Sequence, residues 1–151
     1  MQLLFKILGL LFVFSACSLA GFSATVMLRR RSEKLSSVSH SVSRLAEYIN
    51  ADGGEIGLLA ELCFDENDIK IVDGIPKLNK SFLKKEDITV IEEFLNDFGL
   101  NDRVGEYKRT KLYASLLERQ REEVAKKSAE LSKLYNTLGV LFGVGICIFL
   151  I

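Results

Sequence analysis

The sequence predicts an all-α fold: a helical bundle domain flanked by an N-terminal and a C-terminal transmembrane helix, with the last helix long and continuous into the membrane. Three observations predict it. All but one of the charges fall in the middle of the chain, apolar residues there recur at spacings of three and four, and no glycine or proline interrupts the chain between Gly105 and Leu138. Lys plus Arg total 20 and Asp plus Glu total 20, yet none lies between Ile7 and Leu28 or between Leu134 and Ile151. Roughly 20 helical residues, rising about 1.5 Å each, cross a hydrocarbon core of about 30 Å, and both runs approach that length. The expected organisation is a first transmembrane helix over 1–28, a cytoplasmic helical domain over 29–133 and a second transmembrane helix over 134–151.

The N-terminal run also admits a cleaved signal peptide, with Lys6 as its basic leader and Ser18-Leu19-Ala20 as a small-residue cleavage site. Phe14-Ser15-Ala16-Cys17 loosely resembles a lipoprotein cleavage site, with phenylalanine a poor fit at its first position. Against both readings, the run stays apolar to Leu28 and stops at Arg29-Arg30-Arg31, a pattern of cytoplasmic anchoring. Arg29, Arg30, Arg31 and Lys34 follow the first run, and Lys126, Lys127 and Lys133 precede the second. Only Lys6 lies beyond them. The positive-inside bias therefore expects a two-pass hairpin in the cell membrane with its middle domain in the cytoplasm. Small residues at four-residue spacing let helices approach closely in lipid. Ala16, Ala20 and Ala24 form such a row, beside Cys17, Gly21 and Thr25, and Gly139 with Gly143 forms another. These rows are expected to pack the two spans on each other or on further subunits, including other copies of the chain.

Within the domain, Leu35, Val38, Val42, Leu45, Ala46 and Ile49 mark an amphipathic helix from Ser32 to Asn50, ended by Gly53-Gly54. A shorter helix is expected from Glu55 to Phe64. Asp65 to Lys80 reads as a loop, because it holds Asp73-Gly74 and the single proline, Pro76, with Ile69 to Val72 extended or irregular. Lys84 to Phe98 returns to helix through Ile88, Ile91, Phe94, Leu95 and Phe98, with Gly99 as its stop. Asp102 can cap the final helix, or serve as a contact for a partner. Leu117, Val124, Leu131 and Leu138 repeat every seven residues and give a half-filled coiled-coil heptad. The charged stretch Glu118 to Lys127, with Glu122–Lys126 and Glu123–Lys127 one helical turn apart, reads either as a solvated face or as a contact arm.

Composition narrows the function classes. Balanced charge offers no large basic face for nucleic acid. His40 is the single histidine, and Cys17, Cys63 and Cys147 are scattered, so neither a metal cluster nor a disulfide framework is expected. No phosphate-cradling glycine loop and no nucleophile–base motif occurs, so neither cofactor nor catalytic residues are expected. A non-enzymatic structural or docking role is expected, and a membrane-anchored coiled-coil signalling adaptor or sensor is the alternative.

The C-terminal third carries a more specific pattern. Phe98-Gly99-Leu100-Asn101-Asp102-Arg103, then Glu106, Lys108, Lys111-Leu112, Leu116 or Leu117, Glu118-Arg119, Ala125, Tyr135 and Leu138-Gly139, with an apolar tail holding Gly143, resembles the stage III sporulation protein AB family. The resemblance is specific from Phe94 to Ile151, general from Ile7 to Ile49 and weak between. Glu47 and Ile49 match a helix end of that family, but Ala51 to Ile56 lacks its Thr-Pro-Leu turn, and Glu106 stands where the family tends to have glutamine. The resemblance implies a domain similar to the cytoplasmic modules of the type II secretion inner-membrane platform protein F. It also implies a place in the channel complex between mother cell and forespore, in the outer forespore membrane on the mother-cell side. Its implied partners are a cytoplasmic secretion-type ATPase, the stage III sporulation protein AA, and other stage III membrane subunits. Gly99, Asp102, Arg103, Glu106, Leu112 and Glu118 are the motif residues that such a partner would touch.

Overall fold

A computed structural model of the chain describes residues 2–51 and 54–150. Met1, Gly53 of the expected helix stop and Ile151 of the expected second span lie outside the described residues, as do the side chains of Lys6, Ile7 and Cys147. The elements are α1 (Gln2–Ala51), α2 (Ile56–Cys63), β1 (Ile69–Val72), β2 (Ile75–Leu78), α3 (Lys85–Asn96) and α4 (Arg103–Leu150). The chain divides into two compact units: Met1–Arg30 with Ala125–Ile151, and Arg31–Val124. Each is described by itself.

The first apolar run and the amphipathic helix, read separately from the sequence, are one helix of 50 residues. Nothing between Gly21 and Ala51 breaks helical geometry, so the arginine triplet is simply wound into it. Among the described residues, one helix is long and apolar enough to cross a membrane, and it is this one. In the Arg31–Val124 unit the expected stripe of α1 faces the core: Leu35, Val38, Val42, Leu45, Ala46 and Ile49 are all buried. Leu59, Ala60 and Cys63 of α2, Ile91, Phe94 and Leu95 of α3, and Ala114, Leu117 and Val124 of α4 complete that core. Phe94 lies at its centre, with ring centroids 5.7 Å from Phe98 and 5.5 Å from Tyr113. Burying such a ring contributes about 1.5–3 kcal/mol.

The stretch Asp65 to Lys80, expected as a loop, contains an antiparallel hairpin pairing Ile69 with Leu78 and Val72 with Ile75. Asp73 (φ 54°) and Gly74 (φ 77°) both take positive φ, the signature of a two-residue type I′ turn, whose twist matches that of the paired strands. Ile69 is buried against the domain core, and this tertiary packing makes so short a hairpin stable.

Gly99, the expected stop after α3, has a φ of 80°, the left-handed geometry that ends helices at low cost only for glycine. The final helix runs 48 residues without interruption, as its lack of breakers predicts. Of the heptad residues, Leu117 and Val124 are buried in the domain, whereas Leu131 and Leu138 are exposed. The first two therefore serve the domain's own core.

Candidate functional site

The domain is organised round a carboxylate that the sequence reading missed. Asp87, in the first turn of α3, is completely buried and accepts four hydrogen bonds. Arg31 of α1 donates through Nε to Oδ2 at 2.7 Å and through Nη2 to Oδ1 at 3.0 Å. Gln120 Nε2 of α4 donates to Oδ1 at 2.6 Å, and the Lys84 backbone N–H to Oδ2 at 3.0 Å. One residue thus joins three helices and satisfies an otherwise free amide at the start of α3. Burial pushes the Asp87 carboxyl up, but the Arg31 hydrogen bonds, the Lys84 amide, the Arg31 charge and Gln120 outweigh it and hold it below the usual carboxylate range. In sequence, Lys84-Lys85-Glu86-Asp87 looks like any solvated helix start; the one signal was an acid at the third helical position.

The same geometry revises the role of Arg31, which was expected to anchor topology beside the lipid. Its side chain is 16% exposed and committed to Asp87. Arg29, Arg30, Lys126, Lys127 and Lys133 are exposed. All five lie in the Met1–Arg30 and Ala125–Ile151 unit.

The motif residues at the start of α4 are largely explained by the fold. Asp102 Oδ1 accepts from the Gly105 N–H at 3.3 Å, capping the helix. Arg103 donates to the Ile49 carbonyl at 3.0 Å and the Gly54 carbonyl at 3.0 Å, satisfying orphan acceptors at and beyond the end of α1. Six residues on, Arg109 Nη2 donates to the carbonyls of Glu93 and Phe94, both at 2.8 Å, and its guanidinium covers the rings of Phe94 and Tyr113. Positive charge at helix C-termini also complements their dipoles. Two arginines of one helix thereby close the ends of two others.

Glu106 is fully buried, so it presents nothing to a partner. Its Oε2 accepts from Asn101 Nδ2 at 3.3 Å, and its Oε1 lies 3.6 Å from Arg109 Nη1. Glu118 accepts from Ser39 of α1 at 2.9 Å and pairs with Arg121. Leu112 is 57% exposed, with Leu116 one turn on also exposed, and these are apolar motif side chains open to contact beside the exposed Lys108, Lys111 and Arg119.

In the unit of residues 1–30 and 125–151, the close packing runs along the row beside the expected alanines. A Cβ added at Gly21 would lie 2.9 Å from the Tyr135 carbonyl oxygen, and one at Gly139 would lie 3.3 Å from the Cys17 carbonyl oxygen. At Gly143 it would meet the Phe14 ring at 2.8 Å. Thr25 Oγ1 sits 3.2 Å from Asn136 Oδ1, a polar link between the same two helices. Gly139 and Gly143 are thus at the contact. Ala16 and Ala20 are exposed and Ala24 half-buried, because the helix turns Cys17, Gly21 and Thr25 inward instead.

No group of His, Cys, Asp and Glu among the described residues could hold a metal ion. Burial pushes the Cys63 thiol up, against the opposing charge of Arg44.

A helical core clasped by a buried ion pair, on a chain whose first helix is long and apolar enough to cross a membrane, defines an all-α, membrane-associated protein. The chain belongs to the stage III sporulation protein AB family, whose model matches residues 74–151, just over half its length. Membership gives it a sporulation-related role, in a family that is not one of enzymes. No curated protein and no solved structure matches it.

Proposed function

We propose that the chain is a two-pass, non-enzymatic platform subunit, similar to the type II secretion platform protein F. Its helical domain presents a membrane-fixed surface in the mother-cell cytoplasm to a secretion-type ATPase, within a channel complex of stage III subunits. The observation that carries the reading is the charge pattern round the apolar segments: Arg29 and Arg30 follow the first, and Lys126, Lys127 and Lys133 precede the second, so all lie in sequence between the apolar segments. Positive charge flanking the middle domain retains it in the cytoplasm. The close contact between the two apolar helices at Gly21 and Gly139 supports a hairpin through one membrane.

The test has two arms. Single cysteines replacing the exposed Lys80 and Lys108, in a variant lacking Cys17, Cys63 and Cys147, are treated with a membrane-impermeant thiol reagent in intact vegetative cells that express the protein in the cell membrane. Protection that ends when the cells are opened is the expected result, and labelling of intact cells overturns the topology. The full-length protein in lipid nanodiscs is then titrated with the stage III sporulation protein AA, and saturable binding is expected. Absence of binding, alone or with the other stage III subunits, overturns the docking role.

A further inference from the structure

The β-hairpin has one covered edge and one open edge. Beside β2, α3 packs directly against the strand, although a depression lined by Lys77, Leu78, Glu92 and Asn96 remains between them. Beside β1 the neighbour is α2, and the space between them is unfilled. Two adjoining depressions run along it. One, of about 290 Å³, is lined by Glu61, Phe64, Glu66, Ile69, Lys70 and Ile71. The other, of about 210 Å³, continues past Ile71 and Glu61 to Glu55, Leu58, Gly74 and Phe98.

The hydrogen-bond parity of the hairpin determines what β1 offers to this groove. A two-residue turn makes Val72 and Ile75 a bonded pair, so bonded pairs recur at Lys70–Lys77 and at Asp68–Asn79. The Asn79 N–H does donate to the Asp68 carbonyl, at 2.8 Å. Ile71 therefore faces Pro76 in a non-bonded pair, and Pro76 has no N–H to give. The N–H and C=O of Ile71 point away from β2, toward the groove. The Ile69 N–H on the same edge is already taken by the Asp65 carbonyl at 2.9 Å, which leaves the Ile71 amide as the free donor at its middle.

The wall opposite is acidic. Glu55, Glu61 and Glu66 stand along it, Glu61 bordering both depressions, and none of the three makes an ion pair among the described residues. The floor between is apolar, from Ala60, Ile71 and Phe98. A strand edge, an apolar floor and unpaired carboxylates together specify the occupant. We propose that the groove between β1 and α2 docks an extended polypeptide segment of another protein. That segment adds to β1 through the Ile71 main chain and places an arginine or lysine between apolar residues against Glu61. This surface stands apart from the ATPase reading, since neither its geometry nor its chemistry depends on which protein carries the segment.

The test uses the full-length protein in nanodiscs and a short synthetic peptide of alternating valine and threonine with a central arginine. A matching peptide with central glutamate is the comparison. The arginine peptide is expected to bind at least about tenfold tighter and to slow hydrogen exchange at the Ile71 amide at least about fivefold. Glu61→Lys, on an exposed helix face, should reverse the preference between the two peptides. Ile71→Pro, which removes the outward donor and keeps every bonded pair of the hairpin, should abolish binding. Three outcomes overturn the proposal: equal binding of both peptides, unchanged exchange at Ile71 at saturating peptide, or a Glu61→Lys variant with unaltered preference. Protection of Ile71 that grows with protein concentration without peptide would assign the edge to a second copy of the chain, and overturns it equally.

Discussion

The two units of the chain solve the same problem, holding helices together, by opposite chemistry. In the unit of residues 1–30 and 125–151 the proposed two-pass topology surrounds the apolar helices with lipid, where burying leucine would gain little. There the helices approach where side chains are missing, at Gly21, Gly139 and Gly143. In the Arg31–Val124 unit water drives the apolar stripes inward, and a buried carboxylate with four donors then ties the helices in one register. Missing atoms are decisive in one case and added polar atoms in the other. The two units should accordingly fail under different substitutions.

The largest effect is expected at Asp87. Asp87→Asn leaves the Arg31 guanidinium without its counter-charge in a site 16% exposed, and should cost about 3 kcal/mol in denaturant unfolding of the domain. The pH dependence follows from the same contacts. The folded carboxyl titrates below its unfolded value of about 3.9, so its stabilisation is fully present above that pH. It is lost as pH falls through the lower, folded value. The wild-type protein should lose stability on acidification through that window, and Asp87→Asn should flatten this limb of the profile. A variant within about 0.5 kcal/mol of wild type at neutral pH would remove Asp87 from its assigned place.

Next in size is Gly21→Leu. Its Cβ alone would meet a backbone carbonyl at 2.9 Å, which cannot swing aside like a side chain, so the helices must separate. A loss of about 2 kcal/mol is expected, read as unfolding of the full-length protein in micelles. Ala16→Leu and Ala20→Leu, on exposed positions of the same helix, should stay within about 0.5 kcal/mol. Equal effects at Gly21 and Ala20 would return the contact to the alanine row.

These contrasts also show which parts of the fold were legible in the sequence. The apolar stripe Leu35 to Ile49, the stop at Gly99 and the unbroken α4 follow from local periodicity and the absence of breakers, properties a single helix carries in itself. Asp87 and Arg31 are 56 residues apart, and nothing near either one announces the other. The hairpin was hidden by Pro76, which looks like a strand breaker until its place in a non-bonded pair is known. The choice between the alanine row and the Gly21 row turns on which side of α1 faces α4, and both rows have the right spacing. For the motif Gly99 to Glu118 the sequence located the residues that carry the family resemblance but not their purpose. Most of them end helices or fill the core.

Arg103 tests that last point. Arg103→Met keeps most of the stem and removes the donors to the Ile49 and Gly54 carbonyls, and about 1.5 kcal/mol should be lost in denaturant unfolding. If unfolding is unchanged while ATPase binding falls, Arg103 acts at a partner surface, and the structural explanation of the motif fails at its strongest contact.

The smallest effect belongs to Asp102, whose single cap bond to Gly105 at 3.3 Å is exposed. Asp102→Ala should cost about 1 kcal/mol, whereas Asp102→Asn, which keeps a carbonyl oxygen at the same position, should cost a few tenths. The pair separates two uses of the residue. A cap needs an acceptor and tolerates asparagine; a contact with a basic group on a partner needs the charge and does not. Binding of the ATPase to the two variants, measured beside their unfolding, decides between them. Equal stability of Asp102→Asn and wild type, with binding lost only in the asparagine variant's charge-dependent step, would make Asp102 a contact as well as a cap. Parallel small losses in both measurements would leave it a cap alone, and would move the search for the docking surface to the exposed Leu112 and Leu116.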